Sequence, residues 1–398
     1  MNVERKSLIT LLFIGIAVAF VGASSIHVPV SEWYKRNDFA HYYLTSALVR
    51  EGTNPYKMGI ELPFAKFGFI NQPKITVATN PPPLALFVVP FTYLKPKSAF
   101  WLWSILQYAS LVGALLLSFR LVANYLKIRH LFLLLALFST TYCVLSHLRY
   151  GQTQAFMLLL IIIGVSSLYS PSFRLRLAGI FLWGVATSLK LFTWPLVFVA
   201  LRYAGWRGVL AFCFGGLFFW IPLVSVFGLD IFKDYFSLGA FYAQSTVMNF
   251  FGANSLIGAS YNVLSAIGEG AIFVKSLPYL SALSIALILL GTIFLLRVYK
   301  EPFGVCAAVL VLSCMFSPTT WSHYMVLVFP ALTLLYVNSL TEGKVHFVDF
   351  AIAFLLVGLT LGRLYNAPPL WQAASSCVGI VGMAYILALI LRVGSHRT

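Results

Sequence analysis

Charge is what this chain lacks. Only 10% of its 398 residues are Asp, Glu, Lys or Arg, against about a quarter in soluble globular domains. A cytosolic enzyme, a disordered protein and a nucleic-acid-binding domain are therefore poor readings. Acids are scarcer than bases, 11 against 27, for a net charge of +16. The five cysteines are odd in number, lie within apolar runs and show no CxxC spacing, which argues against a disulfide framework or a thiolate metal site and leaves them as packing residues. No Asp-x-Asp, HExxH, Walker loop, GxGxxG or GxSxG stands in a usable context. The missing Asp-x-Asp speaks against a nucleotide-sugar transferase that grips diphosphate through a divalent ion. With no cluster of oxygen ligands either, no metal and no other cofactor is expected.

What the chain has is hydrocarbon: 60% of its residues are hydrophobic. At about 20 residues per crossing, some twelve helices would use nearly all of them. Apolar runs cover residues 7–26, 101–119, 131–147, 153–169, 178–201, 208–227, 279–297, 303–317, 323–340, 347–364 and 371–392. The first follows Arg5 and Lys6 like a signal peptide, but lacks a small-x-small cleavage site and reads as a retained span. The run 178–201 contains Lys190 and Pro195, so it is either one kinked helix or two short helices that enter and return. The expected fold is an all-α integral membrane protein, one polytopic domain over residues 1–398 with about 10 to 12 transmembrane helices.

With a cytoplasmic N-terminus and the run 178–201 counted twice, the short inner segments collect Arg5, Lys6, Arg120, Lys127, Arg129, Arg174, Arg176, Arg202, Arg207, Arg297, Lys300, Lys344, Arg392 and Arg397. That obeys the positive-inside rule and places both termini in the cytoplasm of a multi-pass plasma-membrane protein. Two long segments, 27–100 and 228–278, then face outward. The first is rich in aromatic residues, favours short interfacial helices and has helical spacing over 39–49. Residues 81–94 are apolar but too short to span, and read as a dip into the membrane from outside.

This topology gathers polar groups on the external face: Asp38, the turn from Arg149 to Gln152, Lys190, the turn from Ser317 to His323, and Arg363. Ionisable groups at or within spans are functional candidates by default. Asp38 opens a helix beginning at Phe39, and has two readings. It is an N-cap, a role Asn37 fills equally well, or a partly desolvated general base. Lys190, in an apolar window without a nearby acid, either snorkels to an interface or meets a phosphate inside the protein. His323 is a phosphate donor or a satisfied interface histidine.

Several segments in order along the chain resemble glycosyltransferase family 87, membrane enzymes of the GT-C class similar to polyprenol-phosphate-mannose-dependent mannosyltransferases. They are Asp38-Phe39-Ala40-His41-Tyr42-Tyr43, Glu51-Gly52-Thr53-Asn54-Pro55-Tyr56, Asn80-Pro81-Pro82-Pro83-Leu84, Trp101-Leu102-Trp103, Gly151-Gln152-Thr153-Gln154, Gly184 to Lys190, and Ser317 to Tyr324. Two departures stand out: Asn80 replaces an expected aromatic residue, and Tyr324 follows His323 where a second histidine is common. The resemblance implies a GT-C-like bundle and a polyprenyl-phosphate sugar donor, with mannose favoured by analogy. It also implies a lipid or glycan acceptor and an extracytoplasmic site among membrane lipids, and no nucleic acid. Asp38 aligns with the family's acid and becomes the catalytic candidate. Lys190, His323 and Arg149 are expected to meet the donor phosphate, and Tyr42, Asn54 and Gln152 the sugar, in an inverting displacement that needs no metal.

Two other classes compete. A secondary transporter or lipid flippase would have a similar number of spans and a buried lysine, but such folds usually show related halves and coupling carboxylates near the midplane. A scaffolding subunit of an envelope-polymer machine would tolerate single replacement of the outer polar residues.

Overall fold

Backbone capping chemistry decides where the helices begin. In the computed structural model, which describes residues 33–70, 77–123, 126–245, 253–317, 320–341, 345–358 and 369–394, Asn37 accepts from the Ala40 amide. Ser172 accepts from Leu175, and Glu301 from both Phe303 and Gly304. Proline, whose missing N–H costs nothing in a first turn, opens two more helices at Pro82 and Pro96 and is the first residue, Pro302, of the helix that Glu301 caps. The elements in order are α1 (Asp38–Arg50), α2 (Pro82–Val88), α3 (Pro96–Val122), α4 (Ile128–Ser139), α5 (Tyr142–Tyr150), α6 (Gln154–Leu168), α7 (Phe173–Leu189) and α8 (Leu196–Leu217). There follow α9 (Trp220–Phe227), α10 (Asp230–Ser245), α11 (Leu256–Ala266), α12 (Gly270–Val298), α13 (Pro302–Phe316), α14 (Phe329–Thr341), α15 (Phe347–Gly358) and α16 (Pro369–Gly394). Short 3-10 turns join some of them, and no strand occurs among the described residues.

Five of these segments are long and apolar enough to cross a bilayer: Pro96–Val122, Leu196–Leu217, Ser276–Val298, Ser322–Thr341 and Ala373–Gly394. The pair α4 and α5, bent by 64°, makes a sixth when taken as one broken span. Four shorter apolar helices, Pro82–Tyr93, Gln154–Leu168, Pro302–Phe316 and Phe347–Gly358, accompany them. The long helices alone therefore supply fewer than the ten or more crossings expected from composition. The first apolar run, 7–26, lies outside the described residues. Burial separates centre from periphery. Ser322–Thr341 is 78% buried, whereas Ser276–Val298 is 22% buried and exposes Ile285, Leu290 and Phe294. An apolar helix left uncovered in this way has lipid as its natural neighbour. The protein is an integral membrane protein.

The run 178–201 resolves into two helices that enter and return. Helix α7 leads to Lys190, the chain turns through Leu191–Thr193, and α8 runs back before breaking at Gly205. At that break Arg207 lies 5.9 Å over the ring of Phe173, the first residue of α7. Tyr203 donates to the Lys300 carbonyl at 2.8 Å, and the Phe303 amide to the Tyr169 hydroxyl at 3.3 Å, so residues 169–173, 203–207 and 300–303 share one end of the bundle. The second half of α8 crosses α7 with backbones in contact. A Cβ on Gly184 would lie 2.0 Å from the Phe212 carbonyl oxygen, and one on Gly215 2.0 Å from that of Phe181. Small residues allow this approach where the hydrophobic effect supplies no force between helices. The crossing fixes the height of Lys190 at the opposite end.

Helix α1 is more enclosed than a helix lying on a lipid surface. Phe39, Tyr42 and Tyr43 are almost fully buried, because Phe39 packs on Phe100 and Trp103, and Tyr43 on Phe67 and Phe69. The aromatic residues of this segment fill a core that the protein itself provides.

Candidate active site

Asn37 settles the capping question at the head of α1. Its side-chain oxygen accepts from the Ala40 amide at 3.3 Å, and its nitrogen donates to the Arg149 carbonyl at 3.1 Å. Asp38, half-buried, is the first helical residue, and its carboxylate is turned to another purpose.

That purpose is set by the turn after α5. Gly151 ends the helix in the left-handed region at φ 65°, and a Cβ there would come within 2.7 Å of the Phe39 Cβ. Only glycine satisfies both demands. The Gly151 carbonyl takes a hydrogen bond from Trp103 Nε1 at 2.8 Å. Pinned to α1 on one side and α3 on the other, the turn presents the next residue, Gln152, inward.

Gln152 is 2% exposed and bridges the site. Its Nε2 donates to Asp38 Oδ2. Its Oε1 accepts from Lys190 Nζ at 2.7 Å and from the Tyr42 hydroxyl at 3.0 Å. The charges on either side fix the orientation of the amide, since an ammonium offers only donors and a carboxylate only acceptors. Tyr42 serves as a donor: burial, with the nearby Asp38 carboxylate, pushes its phenol well above the ordinary value. One neutral amide thus spans an acid and a base at an apolar end of the bundle.

Lys190 sits at the break between α7 and α8 and is buried, 9% exposed. Besides Gln152 it reaches the Tyr324 hydroxyl at 3.5 Å and lies 5.0 Å over that ring. His323 is one ring further out, its centroid 5.0 Å from that of Tyr324, in an aromatic surround with Tyr150 and Trp321. Asp38, Tyr42, Gln152 and Lys190 are therefore joined directly, and His323 through Tyr324.

The remaining sequence candidates separate. Arg149 supplies its carbonyl to Asn37 and keeps an exposed side chain. Asn54 donates to Asp234 at 2.8 Å and caps the Tyr56 amide at 3.0 Å, which ties the first long outer segment to the second and uses both ends of its amide. Arg363 lies outside the described residues, as do residues 318 and 319 of the serine- and threonine-rich turn. Three further polar residues, Tyr324, His147 and Gln154, lie beside this network. In the sequence Tyr324 stands out only as a departure from the histidine expected there, Gln154 is named only as the end of the segment Gly151-Gln152-Thr153-Gln154, and His147 is hidden inside an apolar run. Among the described residues no group of three His, Cys, Asp or Glu side chains converges in a way that could hold a metal ion.

A family model for glycosyltransferase family 87 matches residues 78–318. The chain belongs to glycosyltransferase family 87. This family 87 protein is accordingly a membrane glycosyltransferase that takes a sugar donor and an acceptor. No curated protein and no solved structure gives a significant match. The matched span takes in Arg149, Gln152 and Lys190, while Asp38, Tyr42 and Asn54 precede it and His323 and Tyr324 follow it. The structure draws residues from all three regions into one network.

Proposed function

We propose that this glycosyltransferase moves a hexosyl group, mannose by family analogy, from a polyprenyl-phosphate sugar to a lipid or glycan acceptor at the extracytoplasmic face of the plasma membrane. Asp38 takes the proton of an acceptor hydroxyl as that oxygen attacks the anomeric carbon. The bond from that carbon to the phosphate oxygen breaks, and the phosphate departs with its prenyl chain. A single displacement inverts the anomeric centre, and no metal takes part. Charge developing on the phosphate is met by Lys190, with His323 and Arg149 at greater reach, and preorganised stabilisation of that kind is often the largest catalytic contribution.

The observation that carries this reading is the Asp38–Gln152–Lys190 bridge, which holds a base and a cation side by side from chain segments far apart in sequence. The prenyl chain stays in hydrocarbon while the head group enters this polar end. The outward orientation rests on the clustering of Arg174, Arg176, Arg202, Arg207 and Lys300 at the other end, where positive-inside topology puts the cytoplasm.

The test is purified Asp38→Asn protein supplied with labelled polyprenyl-phosphate mannose and a membrane extract. Transfer is expected to fall by about a hundredfold or more, the usual loss on removing a general base, with thermal unfolding and donor binding retained. Turnover equal to wild type would take Asp38 out of the base role.

A further inference from the structure

The mechanism makes no use of a second polar group, buried behind the Gln152 bridge. His147, on α5, and Gln154, at the start of α6, are both fully buried. Neither ring nitrogen of His147 and neither amide atom of Gln154 makes a hydrogen bond of ordinary geometry among the described residues, and the polar contacts of Gln154 with His147 and Tyr324 are weak ones. Their positions are firmly held all the same. The Gln152 amide N–H donates to the His147 carbonyl at 3.1 Å, and Gln154 lies between His147 and Tyr324, close to both. Two adjacent side chains whose four polar atoms find no well-formed partner are far from the norm for protein interiors, where buried polar groups are almost always paired. Paired only weakly with one another, they keep hydrogen-bonding capacity that a polar ligand can take up.

We propose that His147, Gln154 and Tyr324 form a hydroxyl-recognition pocket that receives the sugar ring of the glycosyl donor. This rests on the donor reading given above. The chemistry of the three groups selects the ligand. An imidazole, a carboxamide and a phenol can each donate and accept, which matches sugar hydroxyls that do the same, whereas a phosphate oxygen only accepts and would leave the acceptor half of each group unused. Placement agrees with chemistry. The Tyr324 hydroxyl is 3.5 Å from Lys190 Nζ, so the pocket adjoins the ammonium assigned to the phosphate, and in the donor one glycosidic oxygen separates sugar from phosphate. A pocket built to pair with hydroxyls rejects a ligand lacking them far more strongly than an apolar pocket does, so these residues set which sugar is accepted.

The experiment uses the full-length protein in nanodiscs and two probes, polyprenyl-phosphate mannose and the same polyprenyl phosphate without sugar. Gln154→Met keeps the side-chain volume and deletes the amide, and Tyr324→Phe deletes one hydroxyl. Each is expected to weaken binding of the mannose-bearing lipid by about tenfold or more, the equivalent of one lost hydrogen bond; Gln154→Met leaves binding of the bare phosphate unchanged, and Tyr324→Phe, whose hydroxyl also reaches Lys190, weakens the bare phosphate less than the mannose-bearing lipid. The Gln154→Met protein is also expected to unfold at the same or a higher temperature, because the amide it loses makes no well-formed hydrogen bond in the free enzyme; a structural role would lower that temperature. Equal weakening toward both lipids, or no weakening toward either, overturns the pocket. Should wild-type protein bind neither lipid, the donor reading itself fails. Octyl mannoside then decides the pocket: weaker binding to Gln154→Met than to wild type upholds it, and equal binding overturns it.

Discussion

Replacing Gln152 tests whether one amide organises the site. Gln152→Leu removes three hydrogen bonds at once: to Asp38, from Lys190 at 2.7 Å and from Tyr42 at 3.0 Å. The largest loss is at Lys190, a buried ammonium left with the Tyr324 hydroxyl at 3.5 Å. Hydrogen bonds to charged groups contribute about 1.5–3 kcal/mol and neutral ones about 1 kcal/mol. Half-buried Asp38 recovers part of its share from water. The sum is about 3–4 kcal/mol, which lies in the range of about 3–5 kcal/mol seen when a buried charge loses its partner. Gln152→Glu separates stability from function. Its carboxylate still accepts from Lys190 and Tyr42, so the fold is retained, but it sets a second negative charge against Asp38. A like charge favours the protonated form of its neighbour, and a base must be deprotonated to act. The acid limb of the pH profile of kcat/KM therefore moves to higher pH, and turnover at neutral pH falls. The assays are thermal unfolding in nanodiscs and transfer of labelled mannose from the polyprenyl-phosphate donor across pH 5 to 9. Full stability in Gln152→Leu, or an unshifted acid limb in Gln152→Glu, would refute the bridging role.

Two further outcomes follow from the packing. Gly215→Ala places a methyl group 2.0 Å from the Phe181 carbonyl oxygen, and because backbone cannot yield as a side chain does, it should cost about 1–3 kcal/mol and reduce donor binding through displacement of Lys190; thermal unfolding and binding of polyprenyl phosphate check this. Asn54→Ala cuts the tie to Asp234 and should lower stability by about 1 kcal/mol with little change in kcat/KM, whereas a sugar ligand at this position would show a large loss of kcat/KM with normal unfolding.

The helices were largely legible in the sequence, and the site only in part. Run 101–119 falls inside Pro96–Val122, 279–297 inside Gly270–Val298, and 371–392 inside Pro369–Gly394, because a long unbroken apolar window has few other stable conformations. The run 178–201 was ambiguous until tertiary structure closed it, since Lys190 and Pro195 permit either a kink or a turn and the choice depends on glycine contacts distant in sequence. Asp38 and Lys190 stood out as isolated charges in apolar surroundings. His147 did not, because averaging over a span conceals a lone neutral polar residue, and Gln154 appeared only as part of a family-like segment with no role attached. Nothing local shows that residues 38, 152, 190 and 324 meet; that follows from how the helices stack.

The amide between Asp38 and Lys190 explains how opposite charges can share an apolar end and both remain usable. In direct contact at about 4 Å, with an effective dielectric of about 20, two such charges attract by roughly 4 kcal/mol, and the attraction falls in inverse proportion to distance when an amide stands between them. A tighter pair would have to be pulled apart before the ammonium could meet a phosphate or the carboxylate a hydroxyl. Gln152 satisfies each group with one hydrogen bond and leaves further capacity on both, since an ammonium has three donors and a carboxylate several acceptor positions. On the mechanism proposed above, the donor phosphate then approaches Lys190 while Asp38 keeps its place. A direct pair built by Gln152→Ala combined with Asp38→Glu, whose longer side chain reaches toward Lys190, should therefore fold more stably than Gln152→Ala alone and still transfer sugar poorly.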